Sequence, residues 1–131
     1  MKVVNLIACF FIIANYSFGQ QEIKINELKQ HVGDSVKVCT KVFSARYLED
    51  AKGSPTFLNA GGKYPNSPLT IVIRGDERQN FDNAPEKFYP GKAVCVTGKI
   101  ELYKDKPQIV VTSKSQIVEQ IMDHIDSKEP Q

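Results

Sequence analysis

From Ser35 to Val42 the chain alternates: Val36, Val38, Thr40 and Val42 stand between Ser35, Lys37, Cys39 and Lys41. A period of two puts one set on each face of a strand, so the segment predicts a half-buried strand whose pattern continues to Tyr47. Thr56–Asn59 and the β-branched run Leu69–Arg74 predict a second and a third strand, each stopped by glycine or by turn residues. Ala93–Leu102 and Pro107–Thr112 predict a fourth and a fifth, joined by a tight connection at Tyr103–Lys106. On one parity these strands place Val36, Val38, Val42, Leu69, Ile71, Ile73, Val94, Val96, Ile100, Ile109 and Val111, the expected interior.

Three segments fall outside the period of two. Asn26 ahead of Glu27–Val32, with Gly33 behind, predicts a short helix capped at both ends. Asp76–Pro90 is polar apart from Phe81, Phe88 and Tyr89 and predicts a connector. Ile117, Val118, Ile121, Met122 and Ile125 form a helical stripe, and Ser113 with Gln116 offers a capping box ahead of it, so a C-terminal helix is expected. One echo joins the first and fourth strands: residues 33–42 and 91–100 share the form G-x-x-V-x-V-x-[GT]-x-[VI]. Two copies are too few for a solenoid, so the echo marks two strands with equivalent places in one barrel. Five strands with a connector between the third and fourth follow the order of the OB-fold. The expected class is therefore all-β, a five-stranded Greek-key barrel with short flanking helices.

The first 19 residues have another purpose. Lys2, the apolar run Val3–Ala14 and the small residues Ser17 and Gly19 have the layout of a secretory signal peptide, cut before Gln20. The run is too short to span a membrane, and it continues past Cys9 instead of ending there as a lipidation site would. The division expected is a signal peptide at 1–19, an OB-fold domain at 20–117, and a helix and tail at 118–131. The product is an exported chain, periplasmic or extracellular, with no membrane segment left. Cys39 and Cys95 then remain as an even pair in an oxidising compartment, which predicts one disulfide. In an OB barrel the first and fourth strands are antiparallel neighbours, and both cysteines lie on the polar parity, so they can meet on the outer surface.

Composition narrows the function less. The 131 residues suffice for one domain, and a formal charge of +2 does not by itself imply nucleic-acid binding, which needs a local cluster of Lys and Arg rather than a mild average. Residues 20–117 carry 15 basic and 11 acidic side chains, a net of +4, against an acidic tail. OB barrels bind ligands across their second and third strands, under flanking loops. Those places hold Arg46, Tyr47, Lys52, Phe57, Lys63, Tyr64, Arg74, Tyr103, Lys104 and Lys106. Cations interleaved with aromatic rings serve single-stranded nucleic acid, because the cations track phosphates while bases stack on the rings. His31 and His124 stand alone, and no cysteine or histidine cluster has metal-ligand spacing, so neither a metal nor a cofactor is expected.

The pieces Pro55–Asn59, Tyr64–Asn66, Thr70–Ile73, Asp76–Phe81 and Cys95–Ile100, ending in Ser115–Ile117, resemble a family of small exported bacterial OB-fold domains described as nucleic-acid-binding-like. The resemblance runs from about Gly33 to Ile117 and implies the fold. Cys39 and Cys95 match the family's cysteine pair, while Arg74 stands where the pattern has an aromatic residue. Three readings stay open. The first is a non-catalytic, monomeric module for single-stranded nucleic acid or another polyanion such as an acidic oligosaccharide. The second is a protein-interaction or structural domain of the cell envelope. The third is a thermonuclease-like phosphodiesterase built on Arg74, Asp76, Glu77 and Arg78, which needs carboxylates gathered around a divalent metal.

Overall fold

The computed structural model describes residues 20–121. The expected signal peptide at 1–19, and residues 122–131 of the expected C-terminal helix and tail, lie outside the described residues. In chain order the elements are β1 (Gln21–Ile23), a 3-10 helix (Ile25–His31), β2 (Ser35–Tyr47), β3 (Thr56–Ala60), β4 (Leu69–Ile73), a 3-10 helix (Gly75–Asn80), α1 (Pro85–Phe88), β5 (Ala93–Tyr103), β6 (Lys106–Val110), a 3-10 turn (Lys114–Gln116) and β7 (Ile117–Glu119).

Strands β2, β3, β4, β6 and β5 pair in that order, and β5 pairs back onto β2, which closes a five-stranded ring. Within the ring only β4 and β6 run parallel. Closure gives every strand of the ring a partner on each side, while parts of the long strands β2 and β5 keep one side open to further pairing. Two long strands make it possible, because each bends and serves two partners. In β2, Ser35–Lys41 pairs with β5 and Val42–Tyr47 with β3; a bulge between Val42 and Ser44 sets Phe43 out of register and turns the strand. In β5, Ala93–Lys99 pairs with β2 and Ile100–Tyr103 with β6. The change of partner follows Gly98, where a Cβ would stand 2.6 Å from Ile109 Cγ2, so the Ile109 side chain of β6 packs against β5 as closely as only glycine allows.

The sequence echo is this pair. Val38 faces Val96 and Cys39 faces Cys95 across the β2–β5 seam, and the two cysteines are bonded with their Cα atoms 4.0 Å apart. Gly33 and Gly91, which precede the two strands, share left-handed φ values of +89° and +86°. Each strand also carries one short extra strand outside the ring, β1 in parallel along Val36–Val38 and β7 antiparallel along Val94–Val96.

All eleven residues expected inside the barrel are fully buried, and Leu58, Ala60 and Thr56 of β3 join them. Ile23, Leu28, Tyr89 and Ile117 extend the core to the ends of the barrel.

Two expected helices differ. The N-terminal one is a 3-10 helix that begins two residues earlier, after Lys24, whose backbone N–H donates to Glu27 Oε2 at 3.2 Å, so Asn26 lies inside the first turn and does not cap it. Only Leu28 of this helix is buried, which anchors about one turn. The expected C-terminal helix is contradicted at its start. Ser113 and Gln116 do form the capping box, but it encloses the single turn Lys114–Gln116, after which the chain becomes β7. There Ile117 pairs with Val96, Val118 with Cys95 and Glu119 with Val94. The open edge of β5 supplies hydrogen-bond partners that a stripe of apolar residues does not reveal. Strand ends move by a residue or two: β4 stops at Ile73, short of Arg74, and β6 at Val110.

Candidate functional site

Directly paired residues of neighbouring strands point to the same face, so the register orders the outer surface of the barrel into rows. The middle row is Ser44 on β2, Asn59 on β3, Thr70 on β4 and Gln108 on β6, each paired with the next, and Glu101 on β5 ends it. On one side runs Arg46, Phe57, Val72 and Val110, a cation followed by three apolar residues. On the other, Tyr103 and Lys106 face each other across the β5–β6 hairpin. This face floors a groove of about 530 Å³, whose walls are Leu48 after β2, the segment Tyr64–Ser67 between β3 and β4, and the hairpin tip. A shallower hollow of about 350 Å³, lined by Leu28 and Lys29 of the first 3-10 helix, continues from it past Pro65, Ser67, Lys106 and Pro107.

Of the residues expected to bind ligand, the structure brings six together on this groove: Arg46, Phe57, Tyr64, Tyr103, Lys104 and Lys106. Tyr64 and Tyr103 are 74% and 60% exposed, so their rings are open to a ligand. Lys106 Nζ donates to the Pro65 carbonyl at 3.5 Å and ties the hairpin to the Tyr64 segment. Lys104 and Asp105 form the two-residue turn with φ of +48° and +63°, a left-handed pair usually given to Asn-Gly. That turn holds the Lys104 ammonium 5.5 Å from the centre of the Tyr103 ring. Among the described residues, Arg46, Lys104 and Lys106 form no ion pair, which leaves their charge available.

The other four expected residues do not line the groove. Tyr47 follows Arg46 on a strand and therefore faces the opposite way, paired with buried Thr56. Its ring lies 3.6 Å under the Arg78 guanidinium. Arg74 lies four residues beyond Thr70, about 13 Å along the strand direction, at the far end of the barrel. Lys63 is exposed just before Tyr64 but outside the lining, and Lys52 is exposed in the loop between β2 and β3.

The cluster around Arg78 is structural. Its guanidinium donates twice to the Glu86 carboxylate, at 2.7 and 3.2 Å, and also to Thr56 Oγ1, while it stacks on Tyr47. The bonds to Glu86 raise the Arg78 pKa, and the Arg78 guanidinium holds the Glu86 carboxyl below its ordinary value. The nearby Glu77 accepts from Asn80, and the Gly75 N–H donates to the Gly53 carbonyl. Arg78 is thus occupied in pinning the connector against the barrel, and is not free to meet a phosphodiester.

Sequence reasoning missed the middle row. Ser44, Asn59, Thr70 and Gln108 are ordinary polar residues on the outward parity, and parity alone was the signal that could have found them.

No protein-family model matches the chain, and no curated protein matches it. Among solved structures it is similar to yeast Stn1 and Ten1, with a TM-score of 0.56 and 12% identity over 82% of this chain and 66% of that one. It is also similar to aspartyl tRNA synthetase from Entamoeba histolytica, with a TM-score of 0.52 and 16% identity over 79% of this chain and 22% of that one. The chain therefore spans just under two thirds of the first and about a fifth of the second. At such identities the likeness is one of architecture, and it agrees with the closed strand ring: the chain is an all-β OB-fold barrel with short helices.

Proposed function

We propose that this chain is an exported, non-catalytic binding module whose groove takes single-stranded nucleic acid. The observation that carries the reading is the meeting in one groove of three cations that form no ion pair among the described residues, Arg46, Lys104 and Lys106, with the exposed rings of Tyr64 and Tyr103. Cations neutralise phosphates, and each base stacked on a ring contributes about 1–3 kcal/mol. The excess of 15 basic over 11 acidic residues in 20–117 supplies a field of the right sign. One fold neighbour is by its name an enzyme of tRNA, so a barrel of this shape does occur in a protein that handles nucleic acid. Export rests on the leader pattern of residues 1–19, and N-terminal sequencing of the secreted product, expected to begin at Gln20, tests it.

The binding test is fluorescence anisotropy with labelled single strands over a salt series. Affinity should fall linearly in log–log form, with a slope of about 0.7 per phosphate contact and so about 2 for three cations. Arg46→Gln should lower the slope by about 0.7, and Tyr103→Ala should weaken binding with the slope retained. No binding to any single strand at low salt overturns the proposal.

A further inference from the structure

We infer that the middle row of the groove, Ser44, Asn59, Thr70 and Gln108, reads the edges of unpaired bases, so that binding is selective for base identity; this rests on the single-strand reading above. A site that only tracks a strand needs cations and flat apolar surface, and those lie to either side of the row: Arg46 and Phe57 along one flank, Tyr103 and Lys106 along the other. Between them run four neutral side chains that each offer hydrogen-bonding groups, paired one to the next across four strands. Cross-strand neighbours of this kind have Cβ atoms about 4.5–5.5 Å apart, a spacing that lets adjacent residues bond to one base edge.

The row is also set in advance. Asn59 is only 8% exposed, and its Nδ2 donates to Ser44 Oγ at 3.0 Å, which fixes both side chains before a ligand arrives. Among the described residues the side chains of Thr70 and Gln108 form no hydrogen bond, though both line the groove. A base stacked between Phe57 and the tyrosines removes water from these groups. A base whose edge bonds to them restores what is lost, and one that leaves them unpaired does not. Each mismatch of that kind reduces affinity by roughly tenfold, so the row turns a general stacking site into a discriminating one.

The test uses the full chain with labelled oligo-dA, oligo-dC and oligo-dT of equal length, measured by anisotropy at one salt concentration and then over a salt series. The expected result is a spread of at least about tenfold in Kd among the three. Thr70→Val and Gln108→Leu should each shrink that spread to below about threefold while the salt slope stays unchanged. Both residues face outward, and an unchanged Tm confirms that the barrel is intact. Salt-dependent binding with equal affinity for all three overturns the inference while the proposed function stands, as does a spread that both substitutions leave untouched. Absence of binding to every strand, or tighter binding to an acidic oligosaccharide, overturns the proposed function and this inference with it.

Discussion

Replacing Arg78 with methionine tests what holds the connector between β4 and β5 against the barrel. Methionine keeps most of the aliphatic stem and removes the guanidinium. Two charge-assisted hydrogen bonds to Glu86 disappear, as do the donor to Thr56 Oγ1 and the cation lying 3.6 Å above the Tyr47 ring. Breaking a well-buried pair by removing one partner costs about 3–5 kcal/mol. Here the side chains of Arg78 and Glu86 keep 18% and 17% of their exposure, so water can partly solvate the orphaned carboxylate and the lower end applies, about 3 kcal/mol. Thr56 contributes within that figure, because its fully buried hydroxyl loses its donor. For a domain of this size, about 3 kcal/mol lowers Tm by roughly 12–20 °C. Thermal unfolding followed by circular dichroism reads the shift. A double-mutant cycle with Glu86→Gln should return a coupling of about 1–3 kcal/mol. Arg78→Met melting within about 2 °C of the wild type, or a cycle with no coupling, would refute the reasoning.

Two more predictions follow from the same framework. The Cys39–Cys95 bond joins residues 56 apart, for which the chain-entropy relation gives about 4 kcal/mol, so reduction should lower Tm by roughly 15–25 °C; thiol titration confirms opening, and a reduced protein that melts unchanged contradicts the estimate. Glu86 is held below its ordinary pKa by Arg78, so its stabilising contribution is present above the unfolded value of about 4.3 and is lost as pH falls through the folded one. The stability gap between wild type and Glu86→Gln, read by urea unfolding, should therefore be present at pH 7 and close as pH falls below about 4. A gap of constant size across that range would show that the carboxylate charge does not matter.

Alternation along the chain was enough to assign the inward face of every barrel strand but β3. Val36, Val38 and Val42, Leu69 to Ile73, and Val94 to Ile100 follow a period of two, and solvent exclusion acts on that parity whatever the partner strand. The seam between β2 and β5 was legible too, because the pattern repeated after Gly33 and Gly91 marked two equivalent strands, each with one cysteine on its polar parity. Parity does not state which residues across the sheet become neighbours, and that register alone assembled Ser44, Asn59, Thr70 and Gln108 into one row. Consecutive strand residues face opposite ways, so Arg46 and Tyr47 parted company, one to the groove and the other beneath Arg78. Ile117–Glu119 read as the start of a helix until the open edge of β5 supplied the hydrogen bonds that made it a strand. Inward positions were written in the sequence because burial selects apolar side chains one residue at a time. The groove was not, because any polar residue satisfies water, and only strands brought together from distant parts of the chain decide which polar residues share a site.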